Sequence, residues 1–323
     1  MAITISKKKV ATHNKNKTTP KTPEKITPFI DRMTVGVNYE PNDLSADIHS
    51  NIWTQTNDTS VFAAVKPGGS YKRAWRIKLN AAVQIKHFPV MRYRYAEGCA
   101  ARLSLTFSPH DLGPKGLEEL HAVLVSIVPQ GWGSIVEDGQ VTMLEVSIDL
   151  PGIPIGNCHP LMQQTTVVKS WSTGGKLETL LFGKKSGNQT RMYDRGQKRK
   201  SKKQAWPHGE TTRIERVLRG QHLPIQQLPE LANLFAGMNF IDLPPKPPPS
   251  EPEQKHYIWY MFCDAVSVRG LPAALKLLPA DTYRKRYRAW LAQHPQAWWK
   301  PDAIWTEWKP MIEKHKLSST NWI

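Results

Sequence analysis

The stretch Thr211–Gly220, read Thr-Thr-Arg-Ile-Glu-Arg-Val-Leu-Arg-Gly, places one carboxylate among three arginines in a strand-like pattern. Successive side chains of a strand point to opposite faces of the sheet. Ile214 and Leu218 therefore share an apolar face, while Arg213 and Glu215 share the other face. We interpret the stretch as a strand of an antiparallel sheet with a charged face. An edge strand whose charges only meet solvent has the same pattern, so the neighbouring stretches must decide between the two.

A second strand is predicted over residues 141–150, where apolar and polar side chains alternate strictly. Glu145 and Asp149 share its polar face, roughly 13 Å apart along an extended strand. They can bind one cation only if the strand bends or if a third acid reaches in from a neighbouring strand, and Glu215 is the candidate for that acid. Carboxylate oxygens suit Mg²⁺ or Mn²⁺. The alternative is that these acids pair with nearby arginines.

The stretch Gln189–Arg195 predicts a third strand, in which Arg191, Tyr193 and Arg195 project from one face. Arginine binds phosphate through two parallel hydrogen bonds. Neighbouring cations lower the pKa of a tyrosine and favour its use as a nucleophile. A tyrosine packed on the sheet between two solvated arginines is the alternative.

A run of basic residues follows this strand and predicts contacts with a polyanion. With Arg195, the candidate DNA-binding residues of this run are Lys198, Arg199, Lys200, Lys202 and Lys203. Arg216 and Arg219 of the Glu215 stretch belong to the same candidate set. A solvated loop would have the same composition.

Tyr283 and Tyr287 are spaced so that they share one face of a helix. Paired helical tyrosines serve some nickases as nucleophiles, but those enzymes also carry a His-hydrophobic-His metal motif, which this sequence lacks. We therefore expect a basic, aromatic helix that binds DNA or packs against tryptophans.

The composition points to a folded protein with a polyanionic partner. The 323 residues carry a formal net charge of +17 and include 12 tryptophans. Nucleic acid is the usual partner of such a charge, although ribosomal and membrane-surface proteins share it. Cys99, Cys158 and Cys263 show no paired spacing, which favours a reducing compartment. Without a secretory signal or a membrane-length apolar run, the expected location is the cytoplasm, with no membrane partner.

The overall pattern predicts an α+β fold. Strand-like patterns also cover 73–83, 88–95 and 103–107, a hairpin is expected within 165–183, and helical spacing begins at Pro114. We predict an antiparallel sheet with flanking helices, followed by a small helical C-terminal domain.

Four segments are predicted along the chain. They are a disordered basic arm (1–28), an α+β catalytic or DNA-binding domain (29–243), a proline-rich linker (244–254) and a helical C-terminal domain (255–323). Four tryptophans are expected to supply the core of the last domain: Trp298, Trp299, Trp305 and Trp308.

Taken together, the three strand motifs resemble the replication initiation factor family of rolling-circle plasmids and filamentous phages. The motifs are Glu-Val-Ser-Ile-Asp at 145–149, Arg-Met-Tyr-Asp-Arg at 191–195 and Arg-Ile-Glu-Arg at 213–216. Two C-terminal runs, 269–275 and 298–305, look like the phage branch of that family. The resemblance covers roughly residues 70–310.

The resemblance implies a palm-like antiparallel sheet, similar to an RNA-recognition fold, whose acids bind a divalent metal, Mg²⁺ or Mn²⁺. It also implies that a tyrosine attacks single-stranded or hairpin origin DNA in the cytoplasm of a bacterial host. The products are a 5′-phosphotyrosine and a 3′-OH that primes synthesis. Host helicase and polymerase would be partners, and a dimer is one option for the oligomeric state. The motif match assigns Glu145, Asp149 and Glu215 to the metal, and Arg191 and Arg213 to catalysis.

One departure from the family concerns the nucleophile. Plasmid members carry it on a helix after the Arg-x-Glu strand, but residues 221–239, where we expect a helix near 225–235, contain no tyrosine. Tyr193 is therefore the first candidate, with Tyr283 and Tyr287 as alternates. The remaining alternatives are a DNA- or RNA-binding protein that does not cut, and a structural basic protein of a nucleoprotein particle.

Overall fold

The structure, a computed structural model, describes residues 25–80, 88–95, 100–162, 168–201, 203 and 209–321. Most of the predicted basic arm lies outside these residues, and so does Lys202. The strands are β1 (Phe29–Tyr39), β2 (Phe62–Ala64), β3 (Arg73–Ile77), β4 (Val90–Arg94), β5 (Ala101–Phe107), β6 (Gln140–Pro151), β7 (His159–Met162), β8 (Val168–Thr173), β9 (Lys176–Phe182), β10 (Gln189–Asp194), β11 (Thr211–Pro224) and β12 (Met238–Ile241). The α-helices are α1 (Asp43–Gln55), α2 (Pro109–Val125), α3 (Trp132–Asp138), α4 (Arg195–Ser201), α5 (His256–Arg269), α6 (Leu271–Leu277), α7 (Asp281–Ala292), α8 (Pro301–Trp305) and α9 (Trp308–Lys314).

Ten of the strands form one antiparallel sheet in the order β2-β3-β4-β5-β1-β6-β11-β10-β9-β8, and β7 pairs with β12. The predicted α+β fold, with an antiparallel sheet, flanking helices and a helical C-terminal region, is confirmed. The three motif strands β6, β11 and β10 are consecutive neighbours. Adjacent positions on them therefore face each other at the distance of a cross-strand pair.

Period-two alternation gives the sheet one apolar and one polar face near its centre. Met33 of β1 pairs with Leu144 of β6, which pairs with Leu218 of β11, and all three side chains belong to the main hydrophobic cluster. The alternate positions bring polar side chains together, since Arg32 pairs with Glu145. The polar face is the part of the fold that positions the candidate site.

The central strand β1 was not predicted from the sequence. It lies between β5 and β6 and buries Met33, Val35, Val37 and Tyr39 on one face. Its register shifts between Ile30 and Arg32, where a bulge interrupts the pairing with β6. A bulge changes the direction of the side chains beside it. Here the affected side chains are those of Asp31 and Arg32, which lie on the polar face.

The segment after β11 is not the helix that we expected near 225–235. Residues Ile225–Glu230 form a 3₁₀ turn that contains Pro229, and β12 follows at Met238. Proline has no backbone N–H and opposes a continuing α-helix. The segment in which we expected a helix therefore has a different backbone conformation.

The C-terminal tryptophans do not form the core of a separate unit, contrary to the prediction. Trp299 and Trp308 belong to the main hydrophobic cluster, together with residues of β1, β5 and β6. Three indole N–H groups donate to backbone oxygens of the segment 228–238: Trp299 to Met238 at 2.7 Å, Trp305 to Leu231 at 3.0 Å and Trp308 to Leu228 at 2.8 Å. Helices α5–α7 instead pack around a second cluster that contains Trp259 and Tyr287. The domain boundary at 244–254 stays a prediction.

Two further findings concern membrane-length helices and disulfides. No α-helix in the described part of the chain is long and apolar enough to cross a membrane. Neither of the two described cysteines, Cys158 and Cys263, forms a disulfide.

Candidate active site

Tyr193 and Glu215 form the centre of the candidate site. Tyr193 lies on β10 opposite Arg213 of β11, so Glu215, two residues further along β11, is its diagonal neighbour on the same face. The Tyr193 hydroxyl donates a hydrogen bond to Glu215 Oε1. Tyr193 is 5% exposed and Glu215 is 2% exposed. A phenol and a carboxylate are therefore hydrogen-bonded to each other in a largely desolvated place.

The pKa of Tyr193 is raised, not lowered as we expected from the sequence. Burial is the largest cause, and the negative charge of Glu215 raises the pKa further. Arg213 and Arg195 act in the opposite direction but do not offset these two effects. The phenol is therefore neutral at neutral pH, and its deprotonation requires a base.

Arg191 stands between two carboxylates of neighbouring strands. Its Nη1 atom lies 3.5 Å from Glu215 Oε2 and 3.8 Å from Glu145 Oε1, and Arg32 Nε lies 4.0 Å from Glu145 Oε2. The distances to Glu145 exceed that of a charged hydrogen bond, which is about 2.7–2.9 Å. Burial raises the pKa of Glu145, against the lowering effect of Arg32. Glu145 is thus a buried acid with incomplete compensation of its charge.

Ser147 lies between Glu145 and Asp149 on the same face of β6 and pairs with Glu215 of β11. The Ser147 side chain is fully buried, and its hydroxyl has no hydrogen-bond partner among the described residues. The Ser147 hydroxyl is therefore a third oxygen-bearing group in this part of the site, beside the carboxylates of Glu145 and Glu215.

Helix α4 brings Lys198 over Tyr193. The Asp194 carboxylate accepts a hydrogen bond from the Gln197 backbone N–H at 2.9 Å and thereby caps the start of the helix. Lys198 Nζ lies 3.7 Å from Glu215 Oε1 and 3.8 Å from the centre of the Tyr193 ring. Because the strand ends at Asp194, Arg195 lies in the first turn of α4 and not on β10 as predicted, but its charge still acts on Tyr193.

Arg213, the cross-strand neighbour of Tyr193, forms an ion pair with Asp149 instead of being free to contact a substrate. Arg213 is 1% exposed and donates two hydrogen bonds to Asp149, at 2.6 and 2.7 Å, and one to Asp31 at 3.1 Å. An arginine buried in this way does not reach a substrate phosphate. Both Asp149 oxygens accept hydrogen bonds from Arg213, so Asp149 is not grouped with Glu145 and Glu215 here, and its role as a third metal ligand stays a prediction. Within the residues that the structure describes, no cluster of three or more His, Cys, Asp or Glu side chains is arranged to hold a metal ion.

Two clefts meet at this site. We call the first the arginine cleft, of about 490 Å³, and its basic lining residues outnumber the acidic ones. The basic ones are Arg32, Arg76, Arg92, Arg191, Arg195, Lys198 and Arg199, and the acidic ones are Asp31, Asp111, Glu145 and Glu215. We call the second the tryptophan cleft, of about 600 Å³. It is lined by Trp171, Glu178, Thr179, Leu181, Arg191, Tyr193, Asp194, Gln197, Lys198, Ser201 and Glu215. Arg191, Lys198 and Glu215 belong to both linings.

The predicted DNA-binding residues divide between the site and other surfaces. Arg195, Lys198 and Arg199 line the arginine cleft, whereas Lys200 and Lys203 are exposed but line neither cleft. Arg216 points to the opposite face of β11 and donates a hydrogen bond to the Thr190 hydroxyl. Arg219 donates to the Gly187 backbone oxygen at 3.1 Å and lines neither cleft. The structure therefore does not bring Arg216 and Arg219 to the candidate site.

The alternate tyrosines lie outside both clefts. Tyr287 is fully buried in the second hydrophobic cluster, with its ring against Trp259 and Phe262. Burial raises its pKa, and the charge of Glu251 adds to this effect. Tyr283 packs edge-on against Tyr287. Neither tyrosine stands beside the acids that the sequence proposed as metal ligands.

Several residues that line the arginine cleft were not proposed from the sequence. They are Asp31 and Arg32 of β1, Arg76 of β3, Arg92 of β4 and Asp111 of α2. The alternation of buried apolar side chains after Arg32 is a sequence signal that could have predicted strand β1. The other three lie far away along the chain, and the sheet order alone brings them to the cleft.

Comparisons with known proteins give a distant likeness to solved structures. No family model matches the chain, and no curated protein matches it. A solved rolling circle replication initiator protein from Geobacillus stearothermophilus is similar at 13% identity with a TM-score of 0.42. The similarity covers 76% of this chain and 98% of that chain. A TM-score of this size supports neither the fold nor the function, so the function is argued from the site.

Proposed function

We propose that this protein is a rolling-circle replication initiator that nicks single-stranded origin DNA by tyrosine transesterification. The observation that carries the proposal is the hydrogen bond from the Tyr193 hydroxyl to Glu215, at the junction of two clefts and next to Arg191 and Lys198. A nucleophile paired with a base, beside fixed cations, is the arrangement that phosphoryl transfer through a covalent intermediate needs.

The proposed step uses Tyr193 as the nucleophile and Glu215 as the base. Tyr193 Oη attacks a backbone phosphorus while its proton passes to Glu215 Oε1. The bond from phosphorus to the 3′-oxygen breaks and the leaving oxygen takes up a proton from water, so the products are a 5′-phosphotyrosine and a free 3′-OH. The reverse reaction by the 3′-OH rejoins the strand, because the phosphotyrosine bond retains the energy of the original diester.

The cations around Tyr193 supply the charge stabilisation. Arg191 and Lys198 lie within 3.8 Å of the acids or the ring at the centre of the site, where they can move onto the phosphate oxygens of a bound strand. The arginine cleft supplies the contacts to the flanking phosphates. Arg213 is left out of this proposal, because it is held by Asp149 and Asp31.

The proposed divalent cation, Mg²⁺ or Mn²⁺, would be held by Glu145 and Glu215, with the Ser147 hydroxyl beside them. The donor set fits a hard cation, because it consists of buried oxygens and because the charge of Glu145 is incompletely compensated. When bound, such an ion polarises the phosphate and offsets the charge that develops on it. Asp149 is not part of the proposed ligand set.

The test is the formation of a covalent protein–DNA adduct. The protein is incubated with hairpin-containing single-stranded oligonucleotides tiled across the DNA that encodes the chain, with Mg²⁺, Mn²⁺ or a chelator, and run on a denaturing gel. We expect a metal-dependent adduct that is lost in Tyr193→Phe and Glu215→Gln. Tyr260→Phe, at an exposed tyrosine of α5 outside both clefts, is the matched control and should keep the adduct.

Two results separate the parts of this proposal. An adduct that survives Tyr193→Phe and maps by mass spectrometry to Tyr283 would move the nucleophile and refute the role of Tyr193. Binding of Mn²⁺ can be followed independently as a rise in unfolding temperature, which Glu145→Gln should abolish. If Mn²⁺ raised the unfolding temperature of the wild type and of Glu145→Gln equally, Glu145 would not be a metal ligand.

A second candidate function is single-stranded nucleic-acid binding without cutting. The observation that favours it is the burial of Tyr193, whose raised pKa opposes its use as a nucleophile. This function predicts tight, salt-sensitive binding in the same assay, without an adduct on any oligonucleotide.

The remaining parts of the proposal concern the biological context. The free 3′-OH would be extended by a host polymerase, and a host helicase would open the duplex ahead of it. The phage-like C-terminal runs, 269–275 and 298–305, are the reason for proposing a filamentous phage or a similar mobile element as the source of the chain.

A further inference from the structure

We infer that Trp171 of the tryptophan cleft is a stacking platform for one base of a single strand of DNA, next to the phosphate that lies at Tyr193. The inference rests on the proposed function, since it assigns the second cleft to the same strand.

The first argument is the continuity of the two clefts. Arg191, Lys198 and Glu215 line both of them, so the arginine cleft and the tryptophan cleft meet where Tyr193 lies. A strand whose phosphates occupy the arginine cleft can therefore continue past Tyr193 into the tryptophan cleft without leaving the protein surface.

The second argument is the difference in their chemistry. Arg191 and Lys198 are the basic side chains that line the tryptophan cleft, and both belong to the shared boundary. Its other lining residues include Trp171, Leu181 and Thr179. Such a lining suits a base rather than a phosphate, because bases stack on aromatic rings and phosphates require cations.

The third argument is the placement of Trp171. Trp171 pairs with Thr179, and Thr179 pairs with Tyr193, so the three side chains stand in one row across β8, β9 and β10. Two strand spacings separate Trp171 from Tyr193, roughly 10 Å. Trp171 is 49% exposed. Together with Trp53, it is the most exposed tryptophan in the described part of the chain.

The test compares a normal oligonucleotide with one that lacks bases. A fluorescein-labelled oligothymidylate of about 12 nucleotides, a length within the range that single-strand-binding folds cover, is titrated with protein and followed by anisotropy. An abasic strand of the same length has the same phosphates. Trp171→Ala should raise the Kd for the oligothymidylate by roughly five- to 150-fold, the effect of removing one base–aromatic stack. The Kd for the abasic strand should stay unchanged.

Trp53→Ala is the matched control. Trp53 on α1 is 52% exposed, lies against Arg73 and lines neither cleft, so its removal should leave both Kd values unchanged. Trp171→Phe retains an aromatic face and should recover most of the affinity. Circular dichroism verifies that each variant is folded.

Three outcomes would overturn the inference, and they are distinguishable. If Trp171→Ala binds the oligothymidylate as tightly as the wild type, Trp171 does not stack on a base, although the protein still binds DNA. If it weakens the normal and abasic strands equally, Trp171 contacts the backbone and not a base. If the wild type binds no single-stranded DNA, the proposed function fails and the inference fails with it.

Discussion

Replacing Asp149 by Asn tests whether this acid is the partner of a buried arginine or a metal ligand. Asp149 holds Arg213 through two hydrogen bonds of 2.6 and 2.7 Å. Burial alone would lower the pKa of Arg213, but the hydrogen bonds and charge of Asp149 raise it above its ordinary value. Arg213 therefore stays charged, and the substitution leaves Asp31, at 3.1 Å, as its acidic partner.

The expected cost follows from the burial of the arginine. Breaking a buried ion pair by removing one partner costs about 3–5 kcal/mol, because the remaining charge is left uncompensated. Asp149 itself has a side-chain exposure of 26%, and Asp31 remains in place. We therefore expect the lower end of this range, about 3 kcal/mol.

The assay is denaturation by urea followed by tryptophan fluorescence, in the absence of divalent metal. Asp281→Asn is the matched control, because Asp281 and Arg284 on α7 are also 2.6 Å apart, but the Asp281 side chain is 80% exposed. An exposed pair contributes about 0.2–1 kcal/mol, so the control should unfold at nearly the wild-type urea concentration.

A loss of less than about 1 kcal/mol in Asp149→Asn would refute this reasoning, since it would fall within the range of an exposed pair. The metal-ligand hypothesis predicts another pattern. Asp149→Asn would then be nearly as stable as the wild type without metal, and it would lose the stabilisation that Mn²⁺ gives to the wild type.

Two further predictions concern buried titratable groups. Because burial raises the pKa of Glu145, the folded protein binds this proton more tightly than the unfolded chain, and the resulting stability is lost as pH rises through the raised pKa. Glu145→Gln should therefore be more stable than the wild type at neutral pH, by about 1 kcal/mol, with no advantage at acidic pH where Glu145 is protonated; urea midpoints across pH measure this, and a variant that is less stable at neutral pH would contradict it. Burial raises the pKa of the Cys158 thiol to about 12. Cys158 should therefore resist alkylation in the native protein and react after unfolding, as measured by mass spectrometry of the labelled peptides, whereas rapid native labelling would contradict its burial.

The charges of the acids and of Arg191 at the site concern both the proposed metal binding and the proposed binding of DNA. Glu145, Glu215 and Arg191 are held close together with ion-pair distances of 3.5 and 3.8 Å, which are longer than good hydrogen bonds. A cation or a phosphate that entered would find oxygens and a guanidinium whose charges are only partly satisfied. Functional sites commonly keep such groups at some cost in stability.

Strand patterns were the most predictable part of this protein. The alternation over residues 141–150 and 211–220 identified β6 and β11, and the grouping of Glu145 with Glu215 on one sheet face followed from it. The helical C-terminal region was also predicted, and Tyr283 and Tyr287 lie on one helix, α7, as their spacing indicated. These features depend on local chemistry, and neighbouring residues are enough to reveal them.

Side-chain pairing was less predictable, because it depends on register. Asp149 and Glu145 look equivalent in the sequence, yet Asp149 lies opposite Arg213 and Glu145 lies opposite Val217. One acid therefore forms a buried ion pair and the other remains beside Arg191. The pKa of Tyr193 was predicted in the wrong direction for a related reason, since the effect of burial exceeds that of the nearby cations.

The stretch Thr211–Gly220 shows what the sequence by itself determined: a strand, its two faces and the position of one acid among arginines. The tertiary structure decided what each of those side chains meets. Arg213 is buried and forms an ion pair with Asp149, and Arg216 points to the opposite face. Glu215 accepts a hydrogen bond from the Tyr193 hydroxyl. Alternation is a local property of the backbone, whereas partners come from strands far away in the chain, so only the folded sheet could assign them.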